Sequence, residues 1–164
     1  MRLRLLKLFA LVATLAAAVA ATAAQADSGP PWGPETPHFN LEAVLRPVGG
    51  SDGFGLIKFR QPNDASTTIH LDVWVRDLAP NRKYFVQRAV DTTVDDDCKG
   101  SNWTMPTLGT IMTDDGGTGR VALLRPLPAS LLGMEFDIHF RIAETETATS
   151  GVLQSGCYQY TVSQ

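Results

Sequence analysis

The sequence predicts an all-β protein: an antiparallel, immunoglobulin-like β-sandwich of about seven to nine strands, preceded by a cleaved signal peptide. Three observations support this fold class. Apolar and polar side chains alternate with a period of two through most of the chain after residue 38. The alternating segments are short, and clusters of Gly, Pro and Asp separate them. No window long enough for a packed helix has the period of about 3.6 residues that an amphipathic helix requires.

Residues 1–26 are predicted to be a secretory signal peptide. A basic start precedes an apolar run over residues 8–24, and Ala24 and Ala26 supply the small residues of a cleavage site. The alternative is a membrane anchor, because the run approaches spanning length. Its second half is mostly alanine, however, so we expect cleavage and no stable membrane insertion afterwards. The alanine-rich signal is typical of bacteria and indicates Sec-type export to the periplasm or the extracellular medium.

Residues 27–38 form a proline-rich arm, and residues 39–164 form the β-sandwich domain. The arm holds four prolines and two glycines, which exclude a regular helix or a central strand. In the first half of the domain, strands are predicted over residues 39–48, 54–60, 69–76 and 83–90. The third is the clearest, because its apolar residues alternate strictly with His70, Asp72, Trp74 and Arg76.

The second half of the domain repeats the pattern after a long polar loop at residues 91–106. Strands are predicted over residues 107–113, 119–125, 136–142 and 158–162. A strong hairpin turn, Asp-Asp-Gly-Gly, separates the first two. Prolines at positions 126 and 128 with a following glycine favour one short helical turn at residues 127–132.

The two cysteines, Cys98 and Cys157, are predicted to form a structural disulfide. Export places them in an oxidising compartment, where an intramolecular bridge is expected. The loop-entropy relation gives about 4 kcal/mol for closing a loop of about 60 residues. A redox-active pair is the alternative, but the Cys-x-x-Cys spacing that it requires is absent.

Residues 75–86 carry Leu78, Pro80, Tyr84 and Val86 at the spacing Leu-x-Pro-x-x-x-Tyr-x-Val. This segment resembles the signature of fibronectin III-like sandwiches. The resemblance implies that Leu78 fills the end of the sandwich and Pro80 fixes the corner. It also implies that the Tyr84 hydroxyl bonds to the backbone.

Residues 108–119 resemble the strand-turn-strand segment of secreted bacterial superoxide-dismutase-like domains of the chordin-repeat (CHRD) type. The copper–zinc centre of dismutases needs a cluster of histidines. This chain has three histidines, His38, His70 and His139, and no His-x-His pair. The resemblance therefore implies the fold without the metal-ligand histidines, and we expect neither dismutase activity nor a cofactor.

Two groups of residues have the side-chain types of a metal site, but we favour a simpler interpretation of each. If their strands were neighbours, His70, Asp72 and His139 would suit one Zn²⁺ or Cu²⁺, but we favour two surface histidines. Asp95, Asp96 and Asp97 concentrate oxygen ligands beside Cys98, as extracellular Ca²⁺ sites do. Their spacing does not match an EF-hand loop, and we favour a solvated acidic loop.

Composition and motifs exclude several function classes. A net charge of −3 gives no basic footprint for nucleic acid. Residues 49–53 match Gly-x-Ser-x-Gly, but no helix is predicted after them, as a nucleophile elbow requires, and we favour a flexible hairpin connection. We therefore expect no enzyme activity.

The aromatic residues offer the most specific binding hypothesis. Trp74 stands beside Asp72 and Arg76 on the polar side of its strand, and Trp103 lies in the acidic loop. Such residues bind a protein or a glycan; alternatively, Trp74 covers a sheet edge or packs under the arm. The sequence thus predicts a non-catalytic binding module of the cell envelope or extracellular space. The alternative is a secreted metal-binding protein or hydrolase whose site is assembled from dispersed residues.

Overall fold

The computed structural model of the protein describes residues 39–62, 67–99 and 104–162, with side chains from residue 41 onward. The predicted signal peptide and proline-rich arm lie outside these residues. Within them the chain forms nine β-strands and one turn of 3₁₀ helix at Ala129–Leu131. The strands are β1 (Phe39–Pro47), β2 (Phe54–Gln61), β3 (Thr68–Arg76), β4 (Lys83–Asp91), β5 (Thr107–Met112), β6 (Gly119–Pro126), β7 (Glu135–Ala143), β8 (Leu153–Gln154) and β9 (Tyr158–Thr161).

The strands form one antiparallel sheet that curls into a nearly closed, barrel-like arrangement. Their order is β5-β4-β7-β8-β1-β2-β3-β6, and β9 pairs with β7. The two end strands of this path, β5 and β6, are consecutive in the chain and are joined by the turn at Asp114, where the Asp114 amide donates to the Thr118 carbonyl at 2.8 Å. The prediction of an all-β, antiparallel fold is confirmed. Strand β8 was not predicted, because its two residues are too few to show alternation.

The core lies between two parts of the curled sheet. We call β1, β2, β3 and β6 half-sheet A, and β4, β5, β7, β8 and β9 half-sheet B. The Phe59 ring on β2 packs against Tyr160 on β9 and Phe140 on β7, with centroids 4.8 and 6.0 Å apart. Inward side chains of both half-sheets are fully buried around these rings, which is where most of the hydrophobic stabilisation arises.

The corner between β3 and β4 has the features that its resemblance implies. Leu78 is buried, and the Ala79 amide donates to the Tyr84 hydroxyl at 3.2 Å. The Thr113 hydroxyl, which follows β5, donates to the Ala79 carbonyl at 2.7 Å and accepts from the Arg82 amide at 2.9 Å. The corner is thus tied to the β5–β6 hairpin, which closes this end of the domain.

Cys98 and Cys157 are joined in a disulfide, as predicted, with their Cα atoms 5.6 Å apart. The bridge ties the loop after β4 to the residue immediately before β9. None of the helices in the described part of the chain is long and apolar enough to span a membrane.

Candidate functional site

The two half-sheets differ in how their outer faces are covered. On β7, in half-sheet B, the outward residues Asp137, Arg141 and Ala143 are as buried as their inward neighbours. On β3, in half-sheet A, the outward residues are half-buried or exposed and the inward ones are buried. Loops account for the burial on half-sheet B, and their anchors are polar side chains of β4 and β7.

Asp137 anchors the loop that carries Cys98. Its side chain is fully buried, and Oδ2 accepts the backbone amides of Asp95 at 2.9 Å and Asp96 at 2.7 Å. Hydrogen bonds to a carboxylate are roughly twice as strong as those to a neutral acceptor. The loop therefore lies across the outer face of β7 and is held there by both Asp137 and the disulfide.

Arg141 anchors the loop between β7 and β8 in the same way. Its Nε donates to the Gln87 Oε1 at 2.6 Å, and its Nη atoms donate to the carbonyls of Thr149 at 3.1 Å and Ala148 at 2.5 Å. Gln87 in turn donates to the Glu146 carbonyl at 2.7 Å. Because both loops are fixed over it, the outer side of β7 and of the adjoining part of β4 offers little open surface.

The outer face of half-sheet A, which we call the β3 face, is centred on Trp74. Directly opposite Trp74 stand Leu56 on β2 and Arg120 on β6. The Phe54 ring meets the indole edge-to-face at 6.1 Å, and the Arg76 guanidinium lies 5.3 Å from the Phe54 centroid and 5.9 Å from the Trp74 centroid. The structure therefore brings together Trp74 and the predicted neighbour Arg76.

Asp72, the third predicted residue, is held by Arg120 in a two-point ion pair. The distances are 2.9 Å from Nε to Oδ1 and 2.5 Å from Nη2 to Oδ2. The hydrogen bond from Arg120 lowers the pKa of Asp72 below its usual 3.8, an effect that burial opposes. The ion pair therefore stabilises the ionised form of the Asp72 carboxyl group.

Open hollows lie on either side of this ion pair. One of 380 Å³ is lined by Arg60, His70 and Leu124 as well as by the pair itself. The other, of 190 Å³, is lined by Leu56, Lys58 and Trp74 in addition to the pair. Leu124 is 63% exposed, so the β3 face combines accessible apolar surface with fixed charges.

Charged side chains line the β3 face, and the positive ones outnumber the negative ones by one. The cations are Lys58, Arg60, Arg76 and Arg120, and three of them form surface ion pairs: Lys58 with Glu42, Arg76 with Asp77 and Arg120 with Asp72. The whole chain, in contrast, carries a net charge of −3. The β3 face therefore has a small excess of positive charge in a protein that is acidic as a whole.

The residues of the alternative zinc or copper site, His70, Asp72 and His139, are not brought together. His70 and His139 lie on the outer faces of different half-sheets, and β3 and β7 are not neighbours, so the condition on which that site depended is not met. In the residues that the structure describes, no three side chains among His, Cys, Asp and Glu gather as a metal site requires.

Two of the aspartates beside Cys98, Asp95 and Asp97, serve as turn acceptors. Asp95 Oδ1 accepts the Asp97 amide at 3.2 Å, and Asp97 Oδ1 accepts the Lys99 amide at 2.9 Å. These exposed contacts are those of a solvated acidic loop. Trp103 and His38, also singled out from the sequence, lie outside the described residues.

Sequence reasoning missed Asp137, Arg141 and Gln87. Each stands on the polar side of an alternating strand, as His70 and Asp72 do, and alternation does not distinguish a solvated polar face from one that anchors a loop. The only signal available was the length of the flanking polar segments, residues 91–106 and 143–152, which must pass over some part of the sheet.

Comparison with known proteins adds no family to these observations. The chain matches no protein-family model, and no curated protein is significantly similar to it. Functional argument therefore depends on the geometry of the β3 face.

Proposed function

We propose that the protein is an exported, non-catalytic binding module. In this proposal an immunoglobulin-like β-sandwich presents its β3 face to an acidic protein partner in the cell envelope or extracellular space. The observation that carries the proposal is the difference between two outer surfaces: anchored loops cover the outer side of β7, and the outward residues of β3 around Trp74 are half-buried or exposed.

The composition of the β3 face supports a protein as the partner. Binding energy in protein interfaces concentrates on buried aromatic and arginine side chains surrounded by a polar rim. Trp74 with Arg76 and Arg120 is such a centre, and Leu124 adds exposed apolar surface. A glycan is favoured less, because the Trp74 ring already packs against Phe54 and Arg76 instead of standing free for a sugar to stack on.

The charge of the β3 face supports an acidic partner. Lys58 and Arg60 stand next to each other along the outward side of β2, and Arg76 and Arg120 flank Trp74. Complementary charge speeds the encounter of two proteins and selects between partners, and it weakens as salt rises.

The absence of catalysis in this proposal follows from the same side chains. Asp72 is fixed as an ion by Arg120, and the hollows beside it present no second carboxylate, cysteine or serine among the described residues that line them. The metal-binding alternative considered from the sequence needs at least three ligands that converge, and no such group occurs among the described residues.

The experiment begins with chemical cross-linking of the native exported fraction, followed by purification of the cross-linked partner. The dissociation constant is then measured for wild type, Lys58→Glu, Arg60→Glu and Trp74→Ala. Lys83→Glu is the matched control, because Lys83 is an exposed lysine on β4 in half-sheet B. We expect the variants of the β3 face to weaken binding about tenfold or more, and the control to leave it unchanged.

Three results would overturn the proposal. The first is equal weakening by Lys83→Glu. The second is a dissociation constant that does not rise with salt. The third is binding of an acidic glycan that depends on Trp74, together with no complex between this protein and the purified candidate partner. That result would make the ligand a glycan instead of a protein.

A further inference from the structure

The barrel-like sheet has a seam where its two end strands, β5 and β6, face each other. Near their connecting turn the strands approach closely: a Cβ on Gly119 would lie 2.6 Å from the Met112 carbonyl oxygen. Farther along, Leu123 of β6 lies against Gly109 of β5, where a Cβ would be only 2.6 Å from Leu123 Cδ2. Beyond this contact, described residues of β5 and β6 share no backbone ladder, because β5 pairs with β4 and β6 with β3.

Two arginines reach this part of the seam from the core side. Arg125 on β6 stands opposite the buried Ile69, and Arg88 on β4 stands opposite the buried Phe140, so both face inward. An Nη atom of Arg125 donates to the Leu108 carbonyl. The register between β4 and β5 shifts at this point, so Leu108 has no paired residue on β4.

Neither guanidinium has a compensating carboxylate in the described part of the chain. The ion pairs seen there all lie on the surface and involve other residues. The Nε atoms of both Arg88 and Arg125 are buried and have no hydrogen-bond partner among the described atoms. Burial, followed by the charge of Arg125, lowers the pKa of Arg88, which shows that the two cations repel each other.

Neutral polar groups complete the surroundings. The Tyr160 hydroxyl donates to the Gln61 Oε1 at 2.7 Å, and both residues are at most 3% exposed. The charge of Arg88 acts on the Tyr160 hydroxyl, whose pKa is raised by burial. Arg88 therefore lies next to groups that offer hydrogen bonds but no negative charge.

Arg88 and Arg125 are half-buried. Two like charges that are partly withdrawn from water without a counter-charge are unfavourable, and a bound anion relieves that penalty. A guanidinium presents parallel N–H donors that match the oxygens of a carboxylate, sulfate or phosphate group. We propose that Arg88 and Arg125 form a binding site for a small oxyanion in the seam between β5 and β6. The site is separate from the β3 face, and the proposal does not depend on the function proposed above.

The test measures the thermal unfolding of the purified protein in sodium chloride, acetate, sulfate and phosphate at one ionic strength. We expect sulfate, phosphate or acetate to raise Tm in a saturable way beyond chloride. Sulfate stabilises most proteins unspecifically, so the decisive quantity is the difference between wild type and variants. Arg88→Met and Arg125→Met should lose the saturable part. Arg60→Met, which removes an exposed arginine of the β3 face, should keep it.

A second measurement covers the case in which a variant fails to fold. The side-chain Nε–Hε NMR signals of Arg88 and Arg125 in the wild type should shift together as inorganic phosphate is added, with one common dissociation constant. Equal Tm increments in wild type and Arg88→Met would overturn the proposal. The proposal would also be overturned if the Nε–Hε signals of both arginines stayed unchanged as phosphate is added. In that case the chain itself supplies the counter-charge.

Discussion

Gly117 lies directly against the backbone of Leu78, so closely that a Cβ atom at position 117 would overlap the Leu78 carbonyl oxygen. The Leu78 amide donates to the Gly117 carbonyl at 3.2 Å, which fixes the approach. This contact joins the β3–β4 corner to the β5–β6 turn. Because β5 and β6 are the two ends of the sheet, the same contact helps to close it.

Gly117→Ala should destabilise the protein by about 2 kcal/mol or more. The residue has a φ of 73°, where a side chain is disfavoured, and the added methyl group would also displace the Leu78 carbonyl. Urea denaturation of the purified variant measures the free energy of unfolding.

Gly49→Ala is the matched control, because Gly49 has a φ of 64° and open space around its Cα. Its expected loss of about 1 kcal/mol reflects the backbone conformation alone. Equal losses at the two positions would show that the contact with Leu78 contributes nothing.

Alternation in the sequence was sufficient to predict eight of the nine strands, all except β8. The pattern of β3, in which Ile69 and Val75 are buried and His70 and Arg76 are not, is the one that a half-buried strand requires. The turn residues between strands predicted their ends to within one or two positions. Closure of the sheet could not be predicted in this way, because it depends on contacts between distant segments such as Leu78 and Gly117.

Which face remains open was also beyond the sequence. Asp137 and Asp72 each alternate with apolar residues, yet Asp137 is fully buried beneath the Cys98 loop and Asp72 pairs with Arg120 on an open surface. The path of a loop depends on a few long-range anchors, here a carboxylate and a disulfide. Period-two patterning contains no information about either.

The disulfide should provide a large part of the stability of the domain. Cys98 and Cys157 are separated by 59 positions, and the loop-entropy relation for a loop of this length gives about 4 kcal/mol. We expect the double variant Cys98→Ser, Cys157→Ser to lose about that free energy of unfolding. Hydrogen exchange of the Asp95 and Asp96 amides should rise less than stability falls, since Asp137 still accepts them.

The control is wild type with and without reductant, followed by the same denaturation. A melting temperature that is the same in both conditions, with reduction verified by mass, would contradict a structural role for the bridge.

His139 should make stability depend on pH near neutrality. It stands on the outer face of β7, where burial lowers its pKa below the usual 6.5. The charge of Arg141 lowers the pKa further, and a hydrogen bond with the Gly156 backbone opposes both effects. The unfolded chain therefore binds a proton at higher pH than the folded one. Stability is fully present above pH 6.5 and declines as the pH falls toward the pKa of the folded state.

His139→Gln should flatten the dependence of Tm on pH between about pH 8 and pH 5.5, the range in which histidine is the main titrating side chain. At the upper end of that range both proteins are neutral at this position, so the difference there measures the packing effect alone. NMR titration of the wild type should give a pKa for His139 below 6.5. If the variant keeps the full pH dependence of the wild type, another group is responsible, and the buried imidazole does not couple folding to pH.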